Sequence, residues 1–406
     1  MDKRGKNIVI LVTLDTKAEE TLYLKELIKG RGHNPLVMDI GISGEVSFQP
    51  DFTREDLAQA TGRSLEEIRA STSQYSDVLT AVATGGTNII QNMLAEGKID
   101  GLLSLGGSLG TNSALMIMRE LPINLPKLAL STVAFISGAI NTEMVSLDQA
   151  MMQSVADLWG INRITRMVLE RAAGAICGMA EEQVEQKVER KPTVAISALG
   201  VHHYVDPCRS LLLEKGYEPI VFHTVGTNAI EKLIWQGYID AVLDLSAYEL
   251  VNYVSGGLVQ GGDVKYTAAC EKGIPQVIAP GAMDFFPLVA SEPLPDKFKK
   301  RTVFLHGMVN LVKTTPQDQI KIATLMAEAI NKTVGPTVVL IPLKGFSLLD
   351  RSKEVPFYEP GAGRRFSDVL RKKVSNPLVE IEDIDVHIND PVFAERATAL
   401  LLSKMG

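Results

Sequence analysis

Glu96-Gly97-Lys98-Ile99-Asp100-Gly101-Leu102-Leu103-Ser104-Leu105 and Gln236-Gly237-Tyr238-Ile239-Asp240-Ala241-Val242-Leu243-Asp244-Leu245 are two versions of one pattern, one in each half of a 406-residue chain. Each is a polar turn running into a continuous apolar strand, and the match persists outward. Upstream, Ile8-Val9-Ile10-Leu11-Val12 is followed by a helical stretch with Leu22, Leu24, Leu27 and Ile28, then by Gly32-His33-Asn34-Pro35-Leu36-Val37-Met38-Asp39. In the second half Thr193 to Leu199 is followed, in the same order, by Leu211, Leu212 and Leu213 and by Gly216-Tyr217-Glu218-Pro219-Ile220-Val221-Phe222-His223. Downstream, Leu128 to Ser131 corresponds to Gln276 to Ala279, each entered through a proline, Pro126 or Pro275. Four matches in one order predict a repeated βαβ plan. Near-continuous apolar strands alternating with helices imply parallel sheets covered on both faces. The expected fold class is α/β, with two similar doubly wound, Rossmann-like domains over residues 1–182 and 192–406. The charged stretch 183–191, stopped by Pro192, reads as the linker.

A chain of this length exceeds what one hydrophobic core serves, and 46% hydrophobic with 22% charged residues is a globular composition. The formal net charge of −7, without a long basic run, argues against nucleic-acid and membrane-surface partners. The run Ile8 to Leu14 is strand-sized, neither signal peptide nor membrane span, so a cytoplasmic protein is expected. Cys177, Cys208 and Cys270 are far apart and form no Cys-x-x-Cys, which speaks against a zinc ribbon, a disulfide framework or any structural metal. Cys177 and Cys270 read as core thiols, and no local signature marks Cys208 as a nucleophile.

Ligands of such folds bind outside the carboxyl ends of the strands, so function is sought in the loops that follow them. In the first half these are 13–17, 106–111 and 131–135; in the second, 200–206, 223–228, 246–249, 281–284, 306–310 and 344–347. Gly106-Gly107-Ser108-Leu109-Gly110-Thr111-Asn112 joins a strand to a helical Ser113-Ala114-Leu115-Met116-Ile117-Met118. Unpaired amides and the helix dipole there favour a phosphate, glycine allows close approach, and Ser108 and Thr111 add hydroxyls. Neither a Walker A sequence nor a full G-x-G-x-x-G is present, and a tight turn without a ligand is the other reading. At the same sheet edge Lys17 can meet a phosphate and Asp15 a magnesium ion or a ribose hydroxyl, while Asp15 or Thr16 can instead cap a helix. Ser131 and Thr132 join this set. Thr84-Gly85-Gly86-Thr87-Asn88 reads as a break within a helical region.

The second-half loops carry His, Asp, Glu and Lys instead. His202, His223 and His306 fall at or just beyond expected strand ends, with Asp206, Asp244, Glu249, Asp284 and Lys344 in or beside equivalent loops. His223 or His306 is the candidate general base, Asp284 its orienting or metal-binding partner, and Lys344 the anion-binding group. No His-x-x-x-His spacing fixes a metal, and any one of these histidines can be an ordinary hydrogen-bonded residue.

Asp15-Thr16-Lys17, Gly106-Gly107-Ser108, Leu121-Pro122-Ile123 with Pro126-Lys127, Ser131-Thr132-Val133-Ala134, Gly160-Ile161-Asn162 and Ala172-Ala173-Gly174-Ala175 resemble the N-terminal domain of the tomato mosaic virus resistance protein family. Gly216-Tyr217-Glu218, Val221-Phe222-His223, Gly281-Ala282-Met283-Asp284, Thr314-Thr315, Lys344-Gly345-Phe346-Ser347 and His387-Ile388-Asn389-Asp390 extend the resemblance along nearly the whole chain. It implies an ATP-binding first domain, a second α/β domain and assembly into a homodimer or higher homo-oligomer. It also places Asp15, Thr16 and Lys17 at a nucleotide-contacting turn and Gly106, Gly107, Ser108 and Leu109 at a phosphate loop. Leu109 stands where the family usually has a further glycine, and His202-His203-Tyr204-Val205-Asp206-Pro207-Cys208 replaces a Thr-Thr-Pro-Cys stretch. The expected function is binding of ATP with Mg2+ by the first domain and enzymatic action on a small anionic metabolite by the second. A nucleotide-responsive binding or regulatory protein without turnover, and a metal-dependent hydrolase or lyase, are the alternatives.

Overall fold

The computed structural model describes residues 5–70, 75–136, 148–182, 190–225 and 228–405. By its contacts the chain divides into two compact units, Met1–Lys187 and Val188–Gly406. Most of the expected linker, residues 183–189, and Gly226-Thr227 of the loop after Phe222-His223 lie outside the described residues.

The first unit runs β1 (Asn7–Val12), α1 (Leu14–Gly30), β2 (Asn34–Asp39), α2 (Arg54–Ala60), α3 (Leu65–Ala70), α4 (Tyr75–Ala95), β3 (Gly101–Gly106), α5 (Ser108–Arg119), β4 (Lys127–Ser131), β5 (Ala150–Gln153) and α6 (Arg163–Glu181). Its five strands are all parallel, in the order β2-β1-β3-β4-β5. The strand period of two sorts the apolar run of β1 onto both faces. Ile8 and Ile10 pack with Leu24 and Ile28 of α1 and Val168, Leu169 and Ile176 of α6. Val9 and Leu11 pack on the other face with Val82 and Ile90 of α4 and Ala114, Ile117 and Met118 of α5.

The second unit runs β6 (Thr193–Ala198), α7 (Val205–Glu214), β7 (Glu218–His223), α8 (Ala229–Trp235), β8 (Ala241–Ser246), α9 (Tyr248–Ser255), α10 (Thr267–Lys272), β9 (Gln276–Gly281), β10 (Phe285–Val289), β11 (Val303–His306), β12 (Val309–Lys313), α11 (Pro316–Ile330), β13 (Thr337–Pro342), α12 (Ala362–Lys373), β14 (Val379–Ile384) and α13 (Pro391–Lys404). Its parallel sheet has the order β14-β13-β9-β8-β6-β7, which is the order of the first unit with a sixth strand added. The expected pair of doubly wound domains is therefore what the chain forms, and the paired sequence patterns make paired contacts. Asp100 accepts the Asn7 N–H at 2.8 Å, as Asp240 accepts that of Thr193 at 2.8 Å. The Leu102 N–H donates to Pro126 O at 2.9 Å, and the Val242 N–H donates to Pro275 O at 3.0 Å.

Two expectations need correction. The glycine pair Gly85-Gly86 does not break a helix, because α4 runs through it from Tyr75 to Ala95. A Cβ at Gly85 would lie 2.1 Å from the Leu57 carbonyl oxygen of α2, and one at Gly86 would lie 2.6 Å from the Ile117 side chain of α5. The glycines serve close helix packing, which a single-helix reading does not reveal. Second, residues 306–310 do not follow a strand of the parallel sheet. They connect β11 to β12 in a separate antiparallel sheet of order β10-β12-β11, inserted after β9. Among the described residues no helix is long and apolar enough to cross a membrane.

Gly85→Ala should destabilise the protein by about 1–3 kcal/mol through overpacking against α2. Gly178→Ala, at an exposed position of α6 where a Cβ meets nothing within 4 Å, should stabilise it by about 0.5–1 kcal/mol. Urea unfolding of both variants checks the pair, and equal effects would contradict the packing role of Gly85.

Candidate functional site

In the first unit the chain leaves β1 toward β2 on one side and returns to β3 on the other, so the order switches between β1 and β3. At such a point the following helices depart to opposite faces and open a crevice at the carboxyl edge. The turn after β1 and the start of α5 line it: a Cβ at Gly110 would sit 3.5 Å from the Thr13 Cγ2.

The glycines of the phosphate-type loop have distinct reasons. A Cβ at Gly106 would approach the Gly110 carbonyl carbon and the Thr111 nitrogen to 3.1 Å, so the strand end needs glycine where the helix folds back on it. Gly107 has ordinary backbone angles, φ −84 and ψ −159, and a Cβ there would meet nothing nearer than the Thr132 Oγ1 at 3.7 Å. Neither conformation nor packing demands glycine at 107; its effect is to leave the approach to α5 open. Gly107 is also the N-cap of α5 and supplies no side-chain cap, so the amides of Ser108, Leu109 and Gly110 lack intrahelical acceptors. Ser108 and Leu109 are exposed and Thr132 is half-buried, whereas Thr111 and Ser131 turn inward, their hydroxyls 2.7 Å apart. Those two tie α5 to β4 rather than face the crevice.

The turn after β1 is capped by neither Asp15 nor Thr16. Thr13 is the N-cap, without a side-chain cap bond, and Asp15 and Thr16 are exposed in the first turn. Lys17 leaves helical geometry (φ −129, ψ 27) and is 7% exposed. Its ammonium lies 5.6 Å from the ring centroid of Trp159 and joins no ion pair or hydrogen bond among the described residues. Asp39, at the end of β2, is by contrast fully engaged: Arg54 grips its Oδ2 at 2.7 and 2.9 Å, and the Leu14 and Gly41 amides donate to Oδ1. Lys127 of the Pro-Lys pair is likewise structural, its buried ammonium donating to Pro122 O, Leu125 O and the Asp148 carboxylate.

In the second unit the expected catalytic residues do not converge. His223 ends edge strand β7 and is exposed. His306 is exposed at the β11–β12 connection of the antiparallel sheet. Lys344 pairs with Asp385 at 3.1 Å, both mostly in solvent. Asp284 alone enters a buried polar network. It follows β9 through Ala282, which adopts φ +55, and its Oδ2 accepts the Ser347 Oγ at 2.6 Å. Its Oδ1 is buried without a hydrogen-bond partner. Burial, and then the neighbouring Asp350 carboxylate, push the Asp284 carboxyl well above the usual carboxylate range. Asp350 accepts the amides of Phe346 and Ser347, and the His387 Nε2 lies 3.2 Å from it. Because the Asn389 amide donates to Nδ1, His387 carries its proton on Nε2. His202 is buried beside this group, 3.2 Å from Phe346 O and 3.0 Å from the Tyr204 hydroxyl. Desolvation lowers its pKa to about 3, so it is a neutral imidazole.

A second buried cluster was half legible. Asp244 and Glu249 stand out in the sequence by position, yet their partner Lys265 carries no signal, since it lies in a loop without motif. The Lys265 Nζ is 3.0 Å from Asp244 Oδ1 and 3.0 Å from Glu249 Oε2. Desolvation opposes its charge, but Asp244, Glu249, Tyr266 and Glu231 outweigh that and hold its pKa well above normal. Tyr266, with φ +70, lies beneath the ammonium, 5.2 Å from ring centroid to nitrogen. Desolvation pushes the Glu231 carboxyl up to about 7. The cysteines are buried free thiols, and burial pushes Cys177 and Cys208 up to about 11, which disfavours Cys208 as a nucleophile. Among the described residues no group of three or more His, Cys, Asp or Glu side chains could hold a metal ion.

Residues 6–185 match the N-terminal domain, and residues 191–405 the C-terminal domain, of the Uncharacterised protein family (UPF0261). The chain belongs to the UPF0261 family. A UPF0261 protein of Clostridium tetani is 35% identical over 406 residues, 99% of each chain. One from Brucella suis is 33% identical over 97% of this chain and 94% of its own. The ToMV resistance protein Tm-1(GCR237) of Solanum lycopersicum is 34% identical over 74% of this chain but only 41% of that protein. Among solved structures, the Streptomyces glycosyltransferase SsfS6 matches 69% of this chain and 82% of its own at 13% identity with a TM-score of 0.19, too low to bear on fold or activity.

Lys265→Met should cost about 3–5 kcal/mol, because it leaves Asp244 and Glu249 buried without their cation. Glu231 titrates higher in the folded state than its ordinary 4.5, so its contribution to stability is present at low pH and lost as pH rises from about 4.5 to about 7. Glu231→Gln should remove that fall. Chemical denaturation across this pH range reads both effects; an unchanged pH profile in Glu231→Gln would exclude the assignment.

Proposed function

We propose that the first unit binds ATP with Mg2+ at the crevice between β1 and β3, and that the second unit carries out chemistry on a small anionic metabolite. The observation that carries the first half is the room above Gly107, where a Cβ would meet nothing nearer than the Thr132 Oγ1 at 3.7 Å and uncapped α5 amides stand at the same sheet edge as the Lys17 ammonium, which has no ion-pair partner among the described residues. The donor set suits a polyphosphate: amides of Ser108, Leu109 and Gly110, the Lys17 ammonium, and the hydroxyls of Ser108 and Thr132. Asp15, exposed in the adjoining turn and in no ion pair among the described residues, suits a hydrated Mg2+. When bound, ATP supplies an activated phosphoryl group. The resemblance to the tomato mosaic virus resistance family supports the choice of nucleotide.

For the second unit, the support is Asp284. Burial, and then Asp350, raise its carboxyl well above the usual carboxylate range, and its Oδ1 is buried without a hydrogen-bond partner among the described residues, which marks it as the candidate acid of the site. The backbone strain at Ala282 just before it is of the kind found where a site is over-determined by its surroundings. Ser347, held by Asp284 and donated to by the Leu349 amide, positions that carboxyl. This replaces a centre built on His223, His306 and Lys344.

Calorimetric titration of ATP, with and without Mg2+, tests the first half. Saturable Mg2+-dependent binding is expected in the wild type, and its loss in Gly107→Val, whose stability should fall by no more than the roughly 1 kcal/mol that a poorer N-cap costs, since a Cβ there meets nothing nearer than the Thr132 Oγ1 at 3.7 Å. Absence of binding in the wild type would refute the reading. Asp284→Asn should keep nucleotide affinity and abolish turnover of anionic metabolites. A nucleotide-dependent change of oligomeric state with no turnover by the wild type would favour a regulatory binding protein instead.

A further inference from the structure

We infer that Trp159 is the platform on which the aromatic base of the nucleotide stacks, an assignment that rests on the nucleotide reading of the first unit. Trp159 is 82% exposed, although the loop that carries it is firmly built. Leu158 beside it is fully buried in the α1–α6 core. The Gly160 amide donates to the buried Glu20 carboxylate of α1 at 2.6 Å, and the Ile161 amide to Glu19 at 3.4 Å. Asn162 and Thr165 then close a capping box on α6. At the other end of the loop, the Ser154 amide donates to Ser131 O at 3.0 Å, and Val155 adopts φ +68, a conformation strained for a β-branched residue. So ordered a loop, with strain at one end and a large indole held out into water at the other, is not explained by packing.

What lies under the indole identifies its occupant. The Lys17 ammonium is on one side of the ring; the residue is more than nine-tenths buried and has no anionic partner among the described residues. The uncapped start of α5 stands across the same crevice, reached through Thr13. Phe135, Val155 and Leu109 add exposed apolar surface at this carboxyl edge. An aromatic plane next to a cation and a row of amides that have no acceptor or anionic partner among the described residues matches a ligand that is planar and aromatic at one end and polyanionic at the other, which is the chemistry of a nucleoside triphosphate.

The test compares ATP with inorganic tripolyphosphate, which has the charge and lacks the base. Trp159→Ala should weaken Mg2+-ATP binding about tenfold or more while leaving tripolyphosphate affinity unchanged. Trp159→Phe, which keeps a ring, should recover most of the loss. The chain has two tryptophans, so in a Trp235→Phe background the emission of Trp159 reports directly and should be quenched by ATP and not by tripolyphosphate. Unchanged ATP affinity in Trp159→Ala, or an equal loss for both ligands, would overturn the platform while leaving the phosphate site standing. Failure of the wild type to bind either ligand would instead remove the nucleotide reading, and the platform with it. A change of oligomeric state in Trp159→Ala without a change in ATP affinity would show that the indole covers a second copy of the chain, which also overturns the proposal.

Discussion

Both units depend on one carboxylate in the same place. Asp100 and Asp240 each stand immediately before the third strand of their unit and accept the backbone N–H that opens the first. The amides of those same aspartates donate back to the first strand, to Asn7 O and Thr193 O. This reciprocal clamp sets the register between the first and third strands, and that boundary is where the strand order switches. Slipping a parallel pair by one residue would reverse which side chains meet each layer of helices. The clamp therefore governs the placement of the loops that follow both strands, and so the crevice at their carboxyl ends.

The repeat was legible because it is written in local terms. An apolar run, a turn with Gly and Asp, and a proline before the next strand are signals a short window carries, and the parallel sheets followed from them. The antiparallel insertion was less legible. Val303-Phe304-Leu305-His306 is exposed along its whole length, so it lacks the alternation that a half-buried strand shows. Gly85 and Gly86 failed for a related reason: glycine in a helix signals either a break or a close approach, and only the position of Leu57 on another helix decides.

The site divides along the same line. Lys17, Gly107 and the start of α5 were readable because a strand–glycine–helix junction has a local signature. The partners of Asp284 come from loops far along the chain, after β13 and after β14, so Asp350 and His387 could be grouped with it only in three dimensions. Lys265 and Trp159 had no signature at all. One is recognised by the carboxylates that surround it, the other by an exposure that its anchored loop does not require.

Over the duplicated plan the two strand–helix junctions carry different side chains. Leu105-Gly106-Gly107-Ser108 corresponds to Leu245-Ser246-Ala247-Tyr248 at the same junction of the second unit. Ala247 is fully buried and its amide donates to Gly281 O, so the N-cap position that stands open at Gly107 is filled here. Tyr248 packs its ring 5.5 Å from that of Phe285 where Ser108 is free. In the loop after the first strand of the second unit His202 is buried and neutral, and its Nε2 comes within 3.0 Å of where a Gly281 Cβ would stand. The polar groups there face inward, toward the buried Asp284 carboxyl. The divergence of the two halves is thus a change of side chains over a preserved backbone: the start of α5 stands open at Gly107, and the corresponding position of the second unit is filled by the buried Ala247.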